Sequence, residues 1–132
     1  MNVILDTSAA MQIILKKEKY DKFNEILNEA DNIFTLDLYV SELSNTLWKY
    51  NLKKMYTSDQ CLHFIHVGIN YISSFIDSKT LWQEAFCEGV RNNHSIYDMF
   101  YFAAARKNMA ILVTNDSDLA EICKKNSVKV CC

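Results

Sequence analysis

The sequence predicts an α/β fold, a parallel sheet with a helical lobe beside it, from three observations. Short continuous apolar runs occur at 2–5, 33–36, 110–114 and 128–131, as expected of strands buried on both faces. Helical patterns separate these runs, so parallel pairing with right-handed crossovers is the expected topology. Finally, residues 37–109 read as helical throughout, which places several helices between the second and third strands. The expected architecture is a central parallel sheet of roughly four to five strands flanked by helices. With 132 residues, half of them hydrophobic, and no Pro/Ser-rich linker, one domain over 1–132 is expected.

The elements follow in order. After the first strand a helix starts near Ser8, and a second covers 19–30. The next runs over 38–55, with Leu43, Leu47 and Trp48 turned inward. Thr57 followed by Gln60 is a capping box, opening a long helix that continues through Phe75. Thr80 and Gln83 repeat that signature before a helix reaching about Val90. Ser95 opens the helix that carries Asp98 and the run 100–105, and Asp116 or Ser117 caps the last one, through Lys125.

Composition narrows the function classes. A net charge of -2 gives no global basic field, so any nucleic-acid contact must be local. Gly68 and Gly89 are the two glycines, which leaves no Gly-rich phosphate-cradling loop. The five cysteines form an odd set without CxxC spacing and are expected to be reduced thiols. Asp6 interrupts the first apolar stretch and no basic segment precedes it, so residues 1–15 do not read as a secretory signal. No run approaches membrane-spanning length, and a soluble, cytoplasmic protein is expected.

Four acids occupy special places. Asp6 follows Val3, Ile4 and Leu5, and Asp116 follows the run ending at Thr114. In an open α/β sheet the crevice at the carboxyl ends of the strands is where ligands bind, so both would face it. Each is also a good N-cap for the helix that follows, which is the simpler explanation of either one alone. Glu42 sits in a largely apolar helix, where a solvated face competes with a site role. Asp98 stands among Ile96, Tyr97, Met99 and Phe100 and needs a partner, a metal or a first-turn position beside the helix dipole.

The joint pattern resembles the PIN-domain ribonucleases, in particular the toxin members of VapBC-type toxin-antitoxin modules. It comprises a first strand running into Asp6, Thr7 and Ser8; then Ser41, Glu42, Leu43, Ser44, Asn45, Thr46 and Leu47 on a helix. Ser95, Ile96, Tyr97 and Asp98 follow, with Tyr101 and 103–105, and last the run 111–114 with Asn115 and Asp116. The resemblance implies a PIN-like fold in which Asp6, Glu42, Asp98 and Asp116 form the acidic metal site. It further implies that Thr114 is the polar companion of the last acid and that Ser8 and Asn45 are auxiliary polar residues. The chain departs from the pattern in reading Thr35, Leu36, Asp37 and Leu38 where many relatives have a proline, and in carrying a second acid, Asp118, near Asp116.

An all-oxygen ligand set favours hard cations, so Mg²⁺ or Mn²⁺ is expected and zinc is not. Lys49, Lys53 and Arg106 are candidate contacts to RNA phosphates. His63 and His66 at i, i+3 are too few for a metal site of their own. A receiver-type phosphoacceptor domain is one alternative, with Asp37 after a strand and Lys129 in the last strand; an inactive PIN scaffold binding RNA or protein is another. The resemblance implies as partners the RNA substrate, a cognate antitoxin and a second copy of the chain. The homodimer contact is expected on helix 58–76, where Leu62, Ile65, Ile69, Ile72 and Ile76 form one stripe and Phe64, Val67, Tyr71 and Phe75 another.

Overall fold

The computed structural model describes residues 1–132. Strand β1 (Asn2–Leu5) leads into α1 (Thr7–Ile14) and α2 (Tyr20–Glu29), then β2 (Asn32–Leu36). Helices α3 (Leu38–Leu52) and α4 (Ser58–Asn70) precede β3 (Ser74–Ile76), and a single 3-10 turn at Ser78–Thr80 leads to α5 (Trp82–Asn92) and α6 (Ile96–Lys107). The chain closes with β4 (Ile111–Val113), α7 (Ser117–Lys125) and β5 (Val130–Cys131). All neighbouring strands pair in parallel, in the order β3-β2-β1-β4-β5.

Alternation along the strands divides the core into two layers. Ile4 and Leu112 face α5, α6 and α7, where Met99, Phe102, Leu119 and Cys123 are buried. Val3, Leu5 and Val113 face the other way, against Ile13, Phe23, Tyr39, Leu43 and Leu47 from α1, α2 and α3. Because β1 is central and pairs Leu5 with Val113, the carboxyl ends of β1 and β4 lie side by side. No helix is long and apolar enough to cross a membrane.

The helical stretch between the second and third apolar runs holds a strand that periodicity missed. The long helix expected through Phe75 stops at Asn70, and β3 joins the sheet edge by pairing Phe34 with Ser74 and Leu36 with Ile76. Three residues are too few to show a period of two, so Phe75 and Ile76 fitted the helical stripe that precedes them. The Thr57 capping box is present, with Thr57 Oγ1 accepting from the Gln60 amide at 3.2 Å and Gln60 Oε1 accepting from the Thr57 amide at 2.9 Å. The second box is not: Thr80 donates its hydroxyl to the Asp77 carbonyl, and α5 starts after Leu81 with no side-chain cap. Trp48, expected inside, is 55% exposed because α3 turns that flank to solvent.

Gly68 lets α4 close on the rest of its layer. A Cβ there would lie 2.5 Å from Leu43 Cδ2 and 2.8 Å from Ile14 Cδ1, and the Tyr39 hydroxyl donates to the Gly68 carbonyl at 2.8 Å. Phe64 and Tyr71 are half-buried in this layer, so the aromatic stripe of α4 is largely spent on the core. Leu62 is exposed, and Trp48 and Leu52 of α3 are exposed with it.

Two features oppose a receiver. Doubly wound receivers carry the strand order 2-1-3-4-5, which is not the order seen here. Asp37 is exposed and caps α3, accepting from the Leu38 amide at 2.8 Å and the Ser78 hydroxyl at 3.0 Å, while Lys129 lies at the opposite end of the sheet, before β5.

Candidate metal centre

Asp6, Glu42, Asp98 and Asp116 line one cleft of about 340 Å³ above the carboxyl ends of β1 and β4, together with Thr7, Ser8, Met11, Thr46 and Tyr101. Asp6 comes directly off β1, where its amide still donates to the Val113 carbonyl at 3.2 Å. Its carboxylate caps α1 and is held from both sides. Oδ1 accepts from the Ala9 amide at 2.9 Å and the Ser8 hydroxyl at 2.7 Å, and Oδ2 accepts from the Thr114 hydroxyl. Thr114 Oγ1 in turn accepts from the Asp116 amide at 3.0 Å, and Ser8 Oγ from the Asn115 amide at 2.8 Å. Two hydroxyls thus stitch β1 to the β4–α7 turn, and Asp6 and Asp116 both cap helices and line the cleft. Asp116 caps α7 by accepting from the Asp118 and Leu119 amides with Oδ1 alone. Asp118 itself is exposed and does not line the cleft.

Glu42 enters from α3. Its Oε1 accepts from the Tyr101 hydroxyl at 2.6 Å and the Thr7 hydroxyl at 3.1 Å. Burial first, and then the Glu42 charge, push the Tyr101 phenol far above its ordinary range, so it stays a donor. Asp98 stands in the first turn of α6, with His94 Nε2 at 2.7 Å from its Oδ2.

Electrostatics mark the cluster as a place for a cation. Burial, and after it the nearby Asp98, push the Asp6 carboxyl up to about 6 against the hydrogen bonds from Thr114, Ala9 and Ser8. Asp98 is also raised, by burial and by Asp116, with the His94 hydrogen bond opposing. None of Asp6, Glu42 or Asp116 pairs with a lysine or arginine. Gathered carboxylates with free oxygens and no lysine or arginine to neutralise them are a donor set that fits a divalent cation.

The other expected site residues are placed as follows. Ser8 and Thr114 belong to the network around Asp6, whereas Asn45 is exposed and Thr46, one turn beyond Glu42, takes the lining position. Lys49, in the last turn of α3, and Lys53, the residue that caps its end, are exposed. Arg106 is engaged elsewhere, donating from Nε to Glu84 at 3.0 Å and from Nη2 to Glu88 at 3.1 Å, with its guanidinium 4.8 Å from the Phe102 ring centre. It fastens α6 to α5, so a contact to RNA would have to compete with these ion pairs. His94, which no motif in the sequence singles out, lies beside these acids, its ring nitrogen and the carboxylate oxygens of Asp98 and Asp116 falling within 4.8 Å of one another. Tyr101 and Thr7 had been recognised as motif residues without a role.

The model of the PIN domain family matches residues 3–125. The chain is 25% identical over 123 residues to Ribonuclease VapC3 of Pyrobaculum aerophilum, covering 92% of this chain and 94% of that protein. Among solved structures, PAE2754 from Pyrobaculum aerophilum superposes with a TM-score of 0.72 at 21% identity, over 92% of this chain and 84% of that one. VapBC2 from Rickettsia felis, solved bound to a DNA fragment from their promoter, superposes with a TM-score of 0.69 at 19% identity, over 98% and 97% of the two chains. With its sheet order, its acidic cleft and a family match over nearly its whole length, the chain belongs to the PIN domain family.

Proposed function

We propose that this protein is a divalent-cation-dependent endoribonuclease, the toxin of a VapBC-type pair, which cuts RNA and so inhibits translation in the cytoplasm until a cognate antitoxin neutralises it. The observation that carries the reading is the meeting of Asp6, Glu42, Asp98 and Asp116 in one cleft with no lysine or arginine paired to them, in a PIN-family chain whose relative is a ribonuclease. Those four carboxylates would hold Mg²⁺ or Mn²⁺. A cation held there would supply positive charge that polarises the scissile phosphate and acidifies an attacking water.

The chain's own residues do the rest. Ser8, Thr114 and the Ala9 amide fix Asp6 in one orientation, and Tyr101 and Thr7 do the same for Glu42. Asp98, at the same cleft, would orient the attacking water toward phosphorus. Breakage of the bond to the ribose 3′ oxygen, which takes its proton from water, would leave a 3′-hydroxyl and a 5′-phosphate. Lys49 and Lys53, without ion-pair partners on α3, can approach the RNA backbone. Antitoxin binding over the acidic cleft would block substrate, and the exposed apolar strip of Trp48, Leu52 and Leu62 offers a surface for a second copy of the chain.

The test is cleavage of an RNA pool by the purified protein. Products carrying 5′-phosphates should form with Mg²⁺ or Mn²⁺ and disappear with excess chelator. Cleavage that persists in chelator would refute the cation requirement, and its absence with every divalent ion would refute the nuclease reading.

A further inference from the structure

The turn between α5 and α6 delivers an imidazole to the carboxylates. Asn93 closes α5 in the left-handed region, at φ 49° and ψ 50°, and the His94 amide donates back to the Gly89 carbonyl at 3.1 Å. Gly89 makes this closure possible, because a Cβ there would lie 2.1 Å from Ile96 Cδ1 and 3.1 Å from the His94 carbonyl. The result is that ligand atoms of His94, Asp98 and Asp116 all lie within 4.8 Å of one another at the outer edge of the cleft. Nitrogen and oxygen donors bind first-row ions at about 2.0–2.2 Å, so donors around one ion stand up to about 4.4 Å apart. The observed spread closes onto an ion with small side-chain shifts.

We infer that His94 is a ligand of the cation centre, and that with Asp98 and Asp116 it makes the outer position selective for a first-row transition ion such as Mn²⁺ over Mg²⁺. The inference rests on the cleft being a metal centre. Mg²⁺ keeps oxygen ligands and water, whereas imidazole raises affinity along the transition series, so one nitrogen among oxygens separates the two ions. The 2.7 Å contact of His94 Nε2 with Asp98 is then the resting arrangement of two ligands, with the cation taking the place of the proton between them.

The experiment loads the intact protein with Mn²⁺ and reads nitrogen hyperfine coupling by pulsed electron paramagnetic resonance, alongside calorimetric titration with Mn²⁺ and with Mg²⁺. Wild type should show imidazole coupling that is lost in both His94→Ala and His94→Gln, with circular dichroism confirming that the variants are folded. Their Mn²⁺ affinity should fall by about 10-fold or more, the range typical of disrupted metal surroundings, while Mg²⁺ affinity changes by less than about 2-fold. Three results would overturn the inference: no nitrogen coupling in wild type, coupling that survives in His94→Ala and so comes from His63 or His66, or equal losses for the two ions, which would make His94 only a positioning residue for Asp98. A wild type that binds neither ion would instead overturn the metal-centre reading on which the inference depends.

Discussion

The Tyr101 hydroxyl donates to Glu42 Oε1 at 2.6 Å across 59 residues of sequence, tying α6 to α3 at the floor of the cleft. A buried phenol that holds a carboxylate in place decides where that carboxylate points. Tyr101→Phe keeps the packing and removes the donor. RNA cleavage should fall by about 10- to 100-fold, and denaturant titration should show a loss of only about 1 kcal/mol. Unchanged cleavage would show that Glu42 needs no such anchor.

Asp6 links the site to stability. Its carboxyl is raised from 3.8 to about 6 in the folded chain, so the folded state binds more protons than the unfolded one between those values. Its contribution is present below pH 4 and is lost as pH rises through about 6. Cation-free wild type should therefore weaken over this window, with Asp98 adding to the slope. Asp6→Asn removes most of that slope and should be more stable at pH 7, by on the order of 1–3 kcal/mol. Urea midpoints at several pH values check this; a slope identical in the two proteins would contradict it.

Arg106 is expected to matter for the fold and not for RNA. Glu88 is almost fully buried and faces both Arg106 and Arg91, so removing Arg106 leaves it half-compensated. Arg106→Ala should cost about 1–3 kcal/mol in thermal or denaturant unfolding while leaving the cleavage rate of the folded protein unchanged. A selective loss of RNA affinity would restore the substrate role.

The proposed dimer surface includes Trp48 and Leu62, which are 55% and 64% exposed. Trp48→Glu combined with Leu62→Glu should shift the light-scattering mass from two chains to one without unfolding. A monomeric wild type, or a double variant that dimerises as before, would move the interface elsewhere.

Much of this was legible in the sequence for identifiable reasons. Strands β1, β2 and β4 are continuous apolar runs, and Asp6 and Asp116 follow two of them, so the sheet edge and half of its acids could be read directly. Glu42 and Asp98 needed the motif context, since spacing on a helix does not say which face meets a cleft. Strand β3 is too short to show its own period, and Thr80 fits a capping box that a 3-10 turn pre-empts. His94 precedes α6, so helical spacing to Asp98 gave no warrant for a contact that depends on the left-handed Asn93.

The most direct test of the central claim is single-turnover cleavage of a defined RNA in Mg²⁺ by wild type and by Asp6→Asn, Glu42→Gln, Asp98→Asn, Asp116→Asn and Asp118→Asn. The first four variants should each lose about 100-fold or more while remaining folded, because each removes a charged ligand at nearly constant volume. Asp118→Asn, on the exposed flank of α7, should cleave as wild type does. Wild-type rates in two or more of the four, or an inactive Asp118→Asn beside an active Asp116→Asn, would contradict the assignment of this cleft as the catalytic metal centre.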